Sequence, residues 1–90
     1  MLIEFDTAKR QKTLDERGLD FCDAPLVFQG RHFTASDDRM NYGEPRFFSI
    51  GSFHDRVVVV VWTVRGDARR IISMRYANER EINRYKKHLG

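Results

Sequence analysis

The chain is short of the residues that staple or metallate small domains. Cys22 is its single cysteine, so no internal disulfide can form and no cysteine cluster exists to hold a metal. The longest apolar run, Val57 to Trp62, is far too short to cross a bilayer. The opening residues Met1-Leu2-Ile3-Glu4-Phe5-Asp6 lack the basic region and the long apolar region of a secretory signal, so a cytoplasmic protein without a membrane partner is expected. There is no glycine-rich phosphate loop, zinc-ligand spacing or nucleophile elbow. Internal repeats and low-complexity segments are absent as well. Three histidines, His32, His54 and His88, have no acid–base partner at a telling spacing, and each reads as structural or solvated.

What is present is ordinary globular composition with an uneven charge. Ninety residues, 41% hydrophobic and 32% charged, are read as one domain spanning 1–90. A chain of this size buries about 60–65% of the surface its unfolded form exposes, so the core is small. Residues 69–90 carry seven basic side chains against Glu79 and Glu81, a net +5. The preceding 68 residues carry nine basic and eleven acidic side chains, a net −2. Positive charge gathered at one end suggests a polyanion, with nucleic acid the first candidate.

Capping and periodicity predict an α+β fold. Leu2–Phe5 is a short N-terminal strand. Asp6 and Gly18 bracket a helix over 7–17 as N-cap and C′ residue. Asp20 starts a second short helix with Phe21, Ala24 and Phe28 on its apolar side, and Gly30 ends it. Arg31–Ala35 is a further strand and Ser36–Pro45 a loop. Three strands follow at 46–51, 57–64 and 68–75, joined by turns at 53–56 and 65–67, so the expected sheet is an antiparallel meander of three to four strands. Val58, Val60, Trp62 and Val64 face one way and Val57, Val59, Val61 and Thr63 the other, which makes this strand central and covered on both sides. Asn78 begins one C-terminal helix, with Glu81 at capping-box spacing and Ile82, Tyr85 and Leu89 on one stripe. The face away from the N-terminal helices lacks an obvious cover, which points to this last helix or to a partner.

At this point the chain resembles the BrnT family of toxins from bacterial type II toxin–antitoxin modules. The closing family pattern is matched by Arg70, Ile71, Ile72, Ser73, Arg75, Ala77, Glu81 and Tyr85. Met74 stands in place of the usual alanine and Tyr76 in place of a basic residue. Arg46, Ile50, Gly51, Thr63, Arg65 and Gly66 match the middle pattern, and Asp6, Lys9, Leu14, Gly18 and Phe21 the N-terminal one. The resemblance implies a RelE-like fold and ribonuclease activity that arrests translation. It also implies a small ribbon-helix-helix antitoxin, with operator DNA bound only through that antitoxin in a hetero-oligomer. The rival reading is a non-catalytic nucleic-acid-binding or repressor-assembly module.

RNA cleavage without metal or cofactor needs a base for the 2′-hydroxyl, cations for the phosphate and an acid for the leaving oxygen. Arg75, ending a strand beside a helix start, is the candidate phosphate contact; its alternative is a surface pair with Glu44 or Glu79. Glu81 is either a general base or the closing residue of a capping box. Tyr85 is a proton donor, a stacking ring or a packing residue. Arg46, Arg65, Arg70, Tyr76 and Arg80 are the candidate substrate contacts, Tyr76 through base stacking. Strand alternation puts Arg69, Ile71, Ser73 and Arg75 on one face and Arg70, Ile72 and Met74 on the other unless a bulge intervenes.

Overall fold

A computed structural model describes residues 2–39, 41 and 43–90; positions 1, 40 and 42, two of which fall in the expected 36–45 loop, lie outside the described residues. Strand β1 (Leu2–Phe5) leads into helix α1 (Thr7–Arg17), then a 3₁₀ turn (Phe21–Asp23) and helix α2 (Ala24–Gln29). Strands β2 (His32–Ser36), β3 (Phe47–Phe53), β4 (Arg56–Arg65) and β5 (Ala68–Tyr76) follow, and helices α3 (Glu79–Arg84) and α4 (Lys86–Leu89) close the chain. The sheet order is β1-β5-β4-β3-β2.

Caps set the ends of α1. The Asp6 carboxylate accepts from the Lys9 backbone N–H at 2.9 Å. Gly18 takes a left-handed conformation, φ 70°, and its N–H reaches the Leu14 carbonyl, an ending that a Cβ would strain. The second expected helix is divided, because Asp20 caps only the 3₁₀ turn, through Cys22 N–H, and Pro25 opens α2 in its first turn. The single C-terminal helix is also divided, at Tyr85, whose backbone leaves helical geometry.

The purely antiparallel sheet needs correction. β2 to β5 form an antiparallel meander, but β1 pairs with β5 in parallel, Leu2 opposite Ala68 and Phe5 opposite Ile71, so the sheet is mixed. The parallel pairing is a long-range one: the chain reaches β5 only after α1, α2 and three further strands, so no hairpin dictates its direction.

β4 is central. Its Val58, Val60 and Trp62 bury against Leu19, Phe21, Ala24 and Val27, with Ile71 and Met74 from β5 completing the cluster. Gly51 lets α2 approach β3: a Cβ there would lie 2.9 Å from His32 Cβ and 3.0 Å from Val27 Cγ1. The opposite face of β4, Val59 and Val61, is also buried. There the C-terminal helices cover the β2–β3 side, with Tyr85 stacked on Phe33 at 5.0 Å and His88 4.5 Å from the same ring.

A bulge in β5 decides which arginines share a face. Ser73 lies opposite Val61 and Ile71 opposite Trp62, so Ile72 is an extra residue. Directly opposed residues share a face. Arg70, Ser73 and Arg75 therefore lie with Thr63, Val61 and Val59, on the sheet face away from α1 and α2. Arg69, Ile71, Met74 and Tyr76 lie with Val64, Trp62, Val60 and Val58, on the α1–α2 face. The alternation expected from sequence is overturned by that single inserted residue.

Candidate functional site

A cleft of about 210 Å³ opens between the β3–β5 surface, the start of the C-terminal helices and the 36–39 segment. Phe48, Val59 and Val61 form its apolar floor. Asp37, Asp38, Arg39, Arg75, Glu81, Arg84 and Tyr85 supply the polar wall. The bulge aims Arg75 into this space. The Asn78 cap fixes the first turn of α3 and so places Glu81 beside it: Asn78 Oδ1 accepts from Glu81 N–H at 2.8 Å, and Glu81 Oε1 accepts from Asn78 N–H at 3.0 Å.

Arg75 and Glu81 are joined fork to fork. Nη1 donates to Oε1 at 2.8 Å and Nη2 to Oε2 at 2.7 Å. This charge-assisted geometry is the one a guanidinium uses for carboxylate or phosphate. The Arg75 bonds, aided by the Asn78 N–H, hold the Glu81 carboxyl down at about 2. Glu81 in turn raises the Arg75 pKa. The two readings of Glu81 are thus not exclusive: it closes the capping box and also faces the cleft. The pairing of Arg75 with Glu44 or Glu79 is replaced by this one.

The 36–39 segment supplies a second pair. Asp37 is buried, with its carboxylate accepting from Arg39 Nε at 2.8 Å and Nη2 at 2.9 Å, and Arg39 holds its pKa below the usual range. The positive field of Arg39 reaches the Arg75–Glu81 pair. Arg84 borders the cleft with its guanidinium 5.7 Å from the Tyr85 ring centroid. Sequence reasoning passed over Asp37, Asp38, Arg39 and Arg84. The only signal was the charged Asp37-Asp38-Arg39 triplet inside a stretch taken as a loop, and Arg84 one residue before Tyr85.

Of the expected site residues, the cleft gathers Arg75, Glu81 and Tyr85. Tyr85 is half-buried between Phe33 and Phe48, in keeping with a packing role, and its ring also lines the cleft. The others lie elsewhere. Tyr76 is on the α1–α2 face with the Arg56 guanidinium 4.0 Å from its ring, away from the cleft that holds Arg75. Arg70 shares the face of Arg75 but lies roughly 15 Å along the strand and pairs with Glu4 at 3.5 Å. Arg46, just before β3, approaches Glu44 at 3.6 Å. Arg65 is exposed in the β4–β5 hairpin, at the far end of β5 from Arg75, and Arg80 is exposed on α3. Among the described residues, no group of three His, Cys, Asp or Glu side chains is gathered as metal ligands, and no helix is long and apolar enough to cross a membrane.

The architecture and the cleft define a class: an α+β domain with an arginine-rich cleft on the sheet face opposite its N-terminal helices. The family follows from comparison with known proteins. A family profile described as ribonuclease toxin, BrnT, of type II toxin–antitoxin system matches residues 5–81, and the chain belongs to this family. The match takes in Arg75 and ends at Glu81, leaving Tyr85 and Arg84 beyond it. Among curated proteins, none matches the chain.

Proposed function

We propose that this toxin is a metal-independent endoribonuclease whose active site is the Arg75–Glu81 cleft, that it arrests translation in the cytoplasm, and that a ribbon-helix-helix antitoxin neutralises it and carries the complex to operator DNA. The observation that carries the reading is the bidentate Arg75–Glu81 pair at the cleft wall. Glu81 occupies the fork that an RNA phosphate would take. The fold reading that goes with it is a RelE-like one, in one domain.

The chemistry follows from that exchange. A phosphodiester entering the cleft competes for the Arg75 fork, with Arg39 and Arg84 adding positive charge at the same wall. As Glu81 gives up Arg75 it loses the main cause of its depressed pKa and becomes a stronger proton acceptor. It then takes the proton of the ribose 2′-hydroxyl. The 2′-oxygen attacks phosphorus, the P–O5′ bond breaks, and the 5′-oxygen takes a proton from Tyr85 or from water. Arg75 bridges the phosphate oxygens throughout. The products are a 2′,3′-cyclic phosphate and a 5′-hydroxyl.

One observation favours the non-catalytic rival: Arg75, Glu81 and Asn78 satisfy one another fully, as a purely structural clasp would. Turnover separates the two. Substoichiometric toxin with EDTA present is expected to convert RNA to fragments ending in 2′,3′-cyclic phosphate, and a substrate carrying a single 2′-deoxy nucleotide at the scission position is not cut there. A mobility shift without fragments would establish the rival, and activity lost with EDTA and restored by magnesium would remove the proposed mechanism.

A further inference from the structure

Arg69 has an environment that the cleft does not explain. It lies on the α1–α2 face, opposite Ile3 of β1 on one side and Val64 of β4 on the other. Its guanidinium stacks 4.1 Å from the Phe28 ring centroid and 4.4 Å from that of Trp62. No hydrogen bond or ion pair holds it among the described residues, and burial lowers its pKa with no carboxylate to offset it. The other half-buried arginines near acids find them, as Arg10 does with Asp20 at 2.7 Å. Desolvating a guanidinium without an anion is unfavourable, so an unmatched one marks a place where an anion is expected from outside.

The surroundings fit a polypeptide as the source of that anion. Arg69 borders a cavity of about 230 Å³ lined by Ile3, Pro25, Phe28 and Gln29. Of the large hydrophobics left exposed among the described residues, Val64, at 58% exposure, lies directly opposite Arg69 on the same face. Apolar residues gathered around one charge are the make-up of a protein interface core, whereas a nucleic-acid surface is polar and rich in exposed cations. β1 is also the outer strand of the sheet, so its free edge offers backbone donors and acceptors to another extended chain.

We propose that this corner docks an extended segment of the antitoxin, which runs along β1, sets apolar side chains against Ile3, Phe28 and Val64, and delivers an Asp or Glu carboxylate to Arg69. The two rings hold the guanidinium in place before binding, so little side-chain freedom is lost when the carboxylate arrives. Such a site lies on the opposite sheet face from the cleft. The antitoxin therefore anchors here with a segment separate from whatever part of it blocks catalysis. This inference rests on the type II toxin reading above, and its test keeps the two apart.

The toxin is co-expressed with the product of the adjacent reading frame, and the affinity of that protein is measured for wild type, Arg69→Met and Val64→Asp. Both variants are expected to weaken the complex by about tenfold or more. RNA cleavage by the free variants stays at the wild-type level, and amide exchange in residues 2–5 slows when the partner binds. Affinities within about twofold of wild type for both variants, or unchanged exchange in β1, would overturn the docking site while leaving the nuclease reading intact. Self-association of the toxin that Val64→Asp abolishes, with no effect on the partner, would assign the corner to a second copy and overturn it too. A wild-type protein that neither cleaves RNA nor captures the partner would remove both proposals together.

Discussion

Arg75 is held by one carboxylate and is exposed enough to exchange it for another anion. Arg75→Ala is expected to lower RNA cleavage by about 10²–10³-fold, the usual loss for one preorganised charge donor at a reacting phosphate. Growth arrest is lost with it while circular dichroism stays that of a folded protein. Arg75→Lys should not restore activity, because an ammonium cannot make the two parallel bonds of the fork. The same pair sets a pH dependence. The Glu81 pKa is lowered in the folded state to about 2. Its contribution is thus present above the unfolded carboxylate pKa, about 4.3, and is lost as pH falls toward 2. With solvent screening discounted, about 1–2 kcal/mol is expected. Urea unfolding of wild type and Glu81→Gln should show a stability gap near pH 6 that narrows through that acid window; a constant gap would mean that the charge of Glu81 contributes nothing.

At the scale of elements, the strands and α1 were largely legible in the sequence because their signals are local. Asp6 and Gly18 bracket α1 by capping geometry, and the two-sided valine run of β4 signals burial on both faces. The Ile72 bulge carries no such signal. It arises where β5 must follow the twist of β4 while Ile71 and Met74 both enter the core, a demand set by packing. That is why the arginine faces were misassigned from alternation. Gly51 makes a test of the α2–β3 approach. Gly51→Ala forces its Cβ against His32 Cβ and Val27 Cγ1, and a loss of about 1–3 kcal/mol in unfolding free energy is expected. Chemical denaturation measures it, and a neutral result would show that α2 lifts from the sheet at little cost.

For the whole molecule, the charge count along the chain proves a poor guide to a patch. The +5 tail is dispersed: Arg69 faces α2, Arg70 pairs with Glu4, Arg75 with Glu81, and Arg84 enters the cleft. What unites the cleft is the docking of the C-terminal helices on β2 and β3 through Phe33, Phe48, Tyr85 and His88. Phe33→Ala should therefore act at a distance. It is expected to lower Tm by about 5–10 °C, equivalent to roughly 1–2 kcal/mol in a domain of this size. Amide exchange should quicken in residues 79–89, and RNA cleavage should fall although Arg75 and Glu81 are untouched. Unchanged exchange there would show that the Asn78 cap alone positions the helix.

Residue chemistry and local pattern are written in the chain itself. They determine the α+β class, the N-caps at Asp6 and Asn78, the central valine strand, and the presence of Arg75, Glu81 and Tyr85 near one another in a strand–helix unit, because each depends on neighbours within a few positions. Only the tertiary structure decided the parallel placement of β1, the bulge that turns Arg75 and Arg70 to the same face, the entry of Arg39 into the cleft from a distant loop, and the stacking of Arg69 without an anion. Those features depend on which surfaces meet when the sheet closes over its core. A side chain's partner across tens of residues is chosen by that packing, and nothing in its immediate sequence encodes it.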